Sequence, residues 1–462
     1  MKKFKQKDNS AHRKATQPEQ EHASPDRQTE NSLSRRKVLQ GLTAVAGAGF
    51  FSGGGLGTVA SSQTAPDILL VVGDGQGPNQ LKAGRGLKAY RDGSSGFNAS
   101  LQVDRHAESG QATTTNASGG ITDSAAAATA MSTGFKTKNG VIGGVIDSSG
   151  RFVPKETVLE RAKKAGYKTG LVTTSALTDA TPAAFGAHTA SRSNQTEIAR
   201  QYIRETGVDV LLGGGKKYFS STLRDQAKAA GYNYVTTASG LAGLSGAGKT
   251  LGLFATDSMG GTISRSNSAT SQPNMDLLVK KARQRLGTGK SFLLIENEHI
   301  DTYGHSNWAG LPHDVLELDT AGTKQALDAA DGSTLVITTG DHETGGLSFT
   351  ASPKFNVVDS LVASDTTLRN RLAQVDGDTA LIRAVVADGT GISDLTTLEI
   401  ESLKANSGNI RRIVANRAGL RWSTTQHTKT KVPVFATGPS ASSLQGEKTL
   451  TDIAKVMRSV VS

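Results

Sequence analysis

Apolar residues along this chain gather in short unbroken runs instead of alternating with polar ones. Ile68-Leu69-Leu70-Val71-Val72 leads into Gly73-Asp74-Gly75, and Phe292-Leu293-Leu294-Ile295 closes on Glu296. Leu335-Val336-Ile337 passes through two threonines to Gly340-Asp341-His342. Runs of this kind, bounded by Gly, Asp or Ser, suit strands buried on both faces, as in a parallel sheet covered by helices. Strand ends are expected near Asp74, Leu177, Gly213, Glu296, Gly340 and Thr437. Helical stretches such as 156–165 and 313–330 alternate with them. The alternation predicts an α/β fold, a three-layer sandwich with a largely parallel central sheet flanked by helices. Gly- and Ser-rich 240–248 and 264–271 are expected as surface loops, and no internal repeat is visible.

The polar residues that close these runs are chemically unusual. Asp74 falls at the C-terminal end of its strand, where open α/β sheets place their ligands. One Asp-Gly after a strand is usually only a turn, but the layout recurs. Glu296 is followed by Glu298, His299, Asp301 and His305. Asp301 and His305 are one helical turn apart and so share a face. Carboxylate plus imidazole suits zinc or a similar divalent ion. Asp341 and His342 repeat the device a third time. His427 precedes the last apolar segment, Val432–Thr437, and alone would count as a surface residue. His12, His22, His106, His188 and His313 have no such setting and are expected to be solvated or structural.

Asp123-Ser124-Ala125 opens a run of small helix formers that continues to Met131. A helix N-terminus favours an anion through its unpaired N–H groups and dipole. A hydroxyl held there can attack phosphorus if something lowers its pKa. An ordinary N-cap is the competing explanation, since Asp and Ser lead the capping preferences. The ligand-bearing strand ends tip the balance toward a metal-activated nucleophile.

Taken together, these residues resemble the metal-dependent alkaline phosphatase family, from about Pro66 to the C-terminus. The segments that carry the resemblance are Asp123-Ser124-Ala125, Val72-Gly73-Asp74-Gly75, Glu296 with Asp301 and His305, Thr339–Glu343, and Gln426-His427-Thr428. A sixth runs from Thr178 to Ala184 and is followed by Ser191-Arg192. The resemblance implies two zinc ions and one magnesium ion. One zinc would take Asp301, His305 and His427, and the other Asp74, Asp341 and His342 with Ser124. The magnesium would take Asp74, Thr181 and Glu296, with Asp179 acting through water. Phosphate monoesters would be hydrolysed through a phosphoserine at Ser124, with Arg192 on the phosphate beside Asp123. The resemblance also implies a homodimer. Residues about 352–422 carry no metal motif and are expected as a smaller inserted cap or interface region. One departure stands out: Thr302 occupies a position where well-known members carry a lysine or a histidine. No account of Glu298 and His299 follows from the sequence.

The first 60 residues are expected to lie outside the fold, leaving 61–462 as the catalytic domain. Residues 1–30 are polar and lack periodicity, which argues disorder. Ser34-Arg35-Arg36-Lys37 then precedes a Gly/Ala-rich apolar stretch from Gly41 to Val59. This is a twin-arginine export signature, with Thr58-Val59-Ala60 as the cleavage site, and the stretch is too weakly apolar to anchor the chain. The expectation is a periplasmic or secreted protein delivered by the twin-arginine translocation machinery. Absence of cysteine removes any need for oxidative folding outside.

Ten Lys and Arg against five Asp and Glu in residues 1–60 leave +6 of the formal +11 for the remainder. A basic surface draws in phosphorylated anions. No basic cluster is interleaved with aromatics, so specific nucleic-acid binding is not expected. Four alanines after Ser124 lack the Pro and Arg of a sulfatase nucleophile segment. Phosphodiesterase activity stays open, since it depends on room for a second ester group.

Overall fold

The protein is described by a computed structural model over residues 67–266 and 270–461. The twin-arginine segment, the cleavage site, His12 and His22 lie outside these residues. A ten-stranded sheet forms the centre. In chain order its strands are β1 Ile68–Gly73, β2 Glu108–Thr113, β3 Lys168–Ala176, β4 Val210–Gly214, β5 Asn233–Val235, β6 Thr250–Leu253, β7 Ser291–Asn297, β8 Leu335–Gly340, β9 Val432–Thr437 and β10 Gly446–Thr449. Across the sheet the order is β10-β2-β9-β8-β1-β7-β3-β4-β6-β5. The run from β8 through β1, β7, β3, β4 and β6 to β5 is parallel throughout. Only β9 is reversed, pairing antiparallel with both β8 and β2.

The apolar runs are buried on both faces because each face has its own helical layer. Leu69 and Val71 of β1 join a cluster with the helices Pro78–Arg91, Met275–Leu286 and Leu311–Glu317. Ile68, Leu70 and Val72 face the other way, into a cluster with α1 Ser124–Thr133, α2 Ala180–Gly186 and the C-terminal helix Leu450–Val460. The three-layer expectation is thus met. Phe355, Leu368, Ile382, Ile400 and Ile413, from helices between 355 and 418, join the first of these clusters.

Local details differ from the sequence expectation. The helix expected over 313–330 spans Leu311–Ala329 but widens to a π turn at Leu318–Thr323. That turn carries Asp319, whose carboxylate accepts the N–H groups of Gln102 and Val103 at 2.8 and 3.1 Å. Short helices, Ala238–Gly243 and Thr262–Arg265, run into the first residues of the two expected surface loops. Thr237 caps the first, accepting from Gly240 N–H. In the second Arg265 is buried, because it pairs with Glu317. Among the described residues no helix is long and apolar enough to cross a membrane.

Candidate active site

Topology explains how distant residues meet. Asp74, Glu296 and Asp341 sit at or just past the C-terminal ends of β1, β7 and β8, which are adjacent and parallel. His427 precedes β9, the reversed strand beside β8, so its N-terminal approach reaches the same edge. Gly75, at φ +73°, makes the turn after β1 possible, since a Cβ there would lie 2.7 Å from the Asp301 Cα. Its N–H donates to Asp341 Oδ1 at 3.0 Å, tying β1 to β8.

Ser124 is the first residue of α1, and Asp123 is the N-cap, accepting from Ala126 N–H at 2.9 Å. The two explanations for this segment are therefore divided between neighbours. Asp123 caps the helix, which leaves the Ser124 hydroxyl free at the positive end of the dipole. Ser124 Oγ is 3.1 Å from His342 Nε2 and 3.5 Å from Asp74 Oδ1.

Two sets of ligand atoms converge beside it. Asp74, Asp341 and His342 offer atoms within 4.8 Å of one another, as do Asp301, His342 and His427. His305 belongs with the second set, because its Nε2 lies 3.2 Å from Asp301 Oδ2 and 3.0 Å from His427 Nε2. The His342 ring stacks on that of His427, centroids 3.6 Å apart, and so stands between the sets. The remaining ring nitrogens are fixed from behind. His305 Nδ1 is 2.6 Å from the Thr425 carbonyl, and His427 Nδ1 is 2.9 Å from that of Thr122. His342 Nδ1 is 3.2 Å from Thr344 Oγ1, which also donates to Asp301. Such contacts set tautomer and ring orientation in metal sites.

The donor set fits cations. Asp341 Oδ2 and Thr181 Oγ1 are buried without a hydrogen-bond partner. Burial, with Asp341 as the nearest like charge, pushes the Asp74 carboxyl well above its usual range. Burial likewise raises Asp341 to about 7 and Glu296 to about 8. Burial would raise Asp301 too, but hydrogen bonds with His305 and His427 hold it well below normal. The Asp301 hydrogen bond in turn lifts His305 to about 9. Crowded acids and imidazoles of this kind are what a divalent ion neutralises.

Of the remaining expected residues Arg192, Asp123 and Asp179 are partly exposed, while Glu296 and Thr181 are buried. Arg192 Nη2 donates to Asp179 Oδ1 at 2.9 Å, and Nη1 reaches Asp123 Oδ2 at 3.4 Å. Asp179 also accepts from Ser175 Oγ at 3.1 Å. Glu296 Oε2 accepts from Thr173 Oγ1 at 2.6 Å. Thr302 does not point to solvent; its hydroxyl donates to Glu298 Oε1 at 2.5 Å. His188 is structural, lying 2.8 Å from Glu160 Oε1 and 2.6 Å from the Gly143 carbonyl. His106 packs 3.1 Å from Thr338 Oγ1, and His313 lies 2.9 Å from the Val358 carbonyl. Sequence reasoning missed Thr173, Thr344 and Asn139, which orient the functional groups. Asn139 Oδ1 accepts from Asp123 N–H at 3.2 Å, a contact across a loop that no local pattern announces. An open cleft of about 560 Å³ exposes Ile121, Asp123, Ser124, Arg192, Asp301 and His427.

Comparison with known proteins agrees with this fold. The family model described as alkaline phosphatase matches residues 65–462. Alkaline phosphatase 4 of Bacillus subtilis is 34% identical over 415 residues, covering 85% of this chain and 87% of its own. A cold-active alkaline phosphatase from a psychrophilic Shewanella superposes with a TM-score of 0.76 at 31% identity, over 86% of this chain and all of that one. A TAB5 alkaline phosphatase mutant, solved with Mg bound in its M3 site, superposes at 0.60 with 26% identity, over 86% of this chain and 98% of that one.

Proposed function

The chain belongs to the alkaline phosphatase family and is a metal-dependent phosphomonoesterase, and from that premise we propose that it works through a phosphoserine at Ser124. The observation that carries this reading is the division of labour at α1. Asp123 takes the cap, so the Ser124 Oγ stands free 3.1 Å from His342 Nε2, at the edge of two converging ligand sets.

Asp301, His305 and His427 would hold one zinc, and Asp74, Asp341 and His342 the other. Asp74, Thr181 and Glu296 would hold magnesium, with Asp179 nearby. When bound, paired divalent ions lower the pKa of an attacking hydroxyl and stabilise a leaving alkoxide. The protein's own groups do the positioning. N–H groups at the start of α1 and the Arg192 fork receive the non-bridging phosphate oxygens. Asp123 and Asp179 steer Arg192 while its guanidinium keeps further N–H groups to offer the phosphate. Ser124 Oγ bonds to phosphorus as the ester oxygen departs with the alcohol. Water then cleaves the Ser124–phosphorus bond, releasing inorganic phosphate and restoring the serine.

Around the cleft mouth Ile121 is the apolar contact, among Asn139, Gln426 and Arg192. The cleft beside Ser124 is open, which supports action on many monoesters. The basic formal charge of the chain favours capture of such anions. The twin-arginine signature supports export to the periplasm or beyond by that translocation machinery, and the family pattern supports a homodimer with residues 352–422 as its cap or interface region. Turnover of one alcohol's phosphate monoester and diester, assayed side by side with metal analysis of the protein, tests the reading. Monoester preference with bound zinc and magnesium is expected; diester preference overturns it.

A further inference from the structure

Behind the ligand-bearing strand ends lies a buried polar cluster that the reaction does not use. Arg265, 1% exposed at its side chain, donates to both oxygens of Glu317 at 2.7 and 2.5 Å. Its Nη2 is 3.9 Å from Asp314 Oδ1, which also accepts the Thr262 N–H and hydroxyl at 3.0 and 2.8 Å. One cation thus faces two buried carboxylates, and further donors are needed to offset the burial. Asn297 supplies one. Its Nδ2 lies 3.3 Å from Asp314 Oδ1 and 3.5 Å from Glu317 Oε2.

Asn297 ends β7, directly after Glu296, and its other polar atoms face the site. Oδ1 accepts the His299 N–H at 2.9 Å, which fixes the turn from β7 into the helix His299–Ser306 that carries Asp301 and His305. The Asn297 carbonyl accepts the Asp74 N–H at 3.0 Å. The same turn is braced from the side. His299 Nε2 sits 2.8 Å from the Met259 carbonyl, and Glu298 N–H donates to Thr174 Oγ1 at 3.0 Å. The amide orientation follows from its partners, since His299 N–H can only donate and the carboxylates can only accept. Only a side chain with a donor at one end and an acceptor at the other spans this gap. An aspartate would bring a third carboxylate against two others, and an alanine would leave the His299 N–H and both carboxylates short of a partner.

We infer that Asn297 is a positioning residue: anchored by Asp314, Glu317 and Arg265, it sets the separation of Asp74 from the Asp301–His305 helix and so the geometry of the metal ligands. This also accounts for His299, which locks the same turn. The inference rests on the reading of Asp74 and Asp301 as ligands.

The test compares wild type, Asn297→Ala and Asn297→Asp. Zinc affinity of each metal-free protein is measured by chelator competition, with thermal melting of the same samples. Zinc binding about tenfold or more weaker is expected for both single variants, the usual effect of losing a group behind a ligand. Wild-type zinc affinity in Asn297→Ala, with only the metal-free melting temperature lowered, would reduce Asn297 to a fold-stabilising role and overturn the inference. If Asn297→Ala does not fold, a folded Asn297→Asp variant with wild-type zinc affinity overturns it equally. A wild-type protein that binds no zinc refutes the ligand reading itself, a distinct result.

Discussion

His305 Nε2 and His427 Nε2 lie 3.0 Å apart, although 122 residues separate them in the chain. Both are also within 3.4 Å of the Asp301 carboxylate. Two imidazole lone pairs cannot face each other at this distance without a proton or a cation between them. The hydrogen bond with Asp301 lifts His305 to about 9, so without an ion a proton on His305 can fill that role.

Metal and proton therefore compete, with a definite sign. The zinc sites need neutral His305 and ionised Asp341, whose protons are held up to about 9 and 7, and the magnesium site needs ionised Glu296, held up to about 8. Below these values binding must expel protons, so affinity falls as pH falls. Zinc affinity of the metal-free chain is expected to climb with pH, most steeply below about pH 7, and to level off above about pH 9. Chelator-competition titrations across that range, with proton release followed in parallel, check this. Equal affinity at pH 6 and pH 9 would contradict it.

Removing the ions should cost stability as well as activity. The ligands come from β1, β7, β8 and the approach to β9, so an ion that binds only the folded chain ties these strands together. A site held at a hundred times its Kd contributes about 2.7 kcal/mol. Exhaustive chelation should lower the melting temperature and abolish turnover, zinc should restore most of both, and magnesium should add to the recovery. A melting curve indifferent to chelation would refute the assignment of ligands.

At Thr302 the hydroxyl already serves Glu298, whose Oε2 is buried without a hydrogen-bond partner and 3.6 Å from His299 Nδ1. A lysine introduced at 302 would meet that carboxylate first. Thr302→Lys alone should therefore tighten inorganic phosphate binding only modestly. Combined with Glu298→Gln the ammonium is released toward the site, and a tightening of about tenfold is expected, with slower turnover wherever phosphate release is limiting. Phosphate inhibition constants at one pH and salt decide. Wild-type values in the double variant would mean that position 302 does not sense the phosphate.

Much of the site was legible because its residues close buried strands. Asp74, Glu296 and Asp341 follow apolar runs whose burial on both faces leaves one place for a carboxylate, at the sheet edge. Asp301 and His305 were paired by helical spacing alone. His427 was not legible in this way: its place depends on β9 running against its neighbours, and nothing local in the sequence states strand direction. The orienting groups Thr344, Asn139 and Asn297 were hidden for a related reason. Each acts through hydrogen bonds to residues distant in the chain, and such bonds leave no periodic trace. Arg265 was misplaced to a surface loop because its partner Glu317 lies 52 residues on.

The covalent step is open to the most direct measurement. Wild-type protein incubated with a phosphate monoester, quenched in acid and digested, is examined by mass spectrometry for phosphate on the peptide containing Ser124. Ser124→Ala is treated in parallel. Phosphate on Ser124 in the wild type is expected, with none on the variant, which should still bind its metals and retain only residual hydrolysis, down by about three orders of magnitude or more. Turnover of the wild type with no phosphate trapped on Ser124 at any quench pH, or a Ser124→Ala variant of undiminished activity, would contradict the serine mechanism.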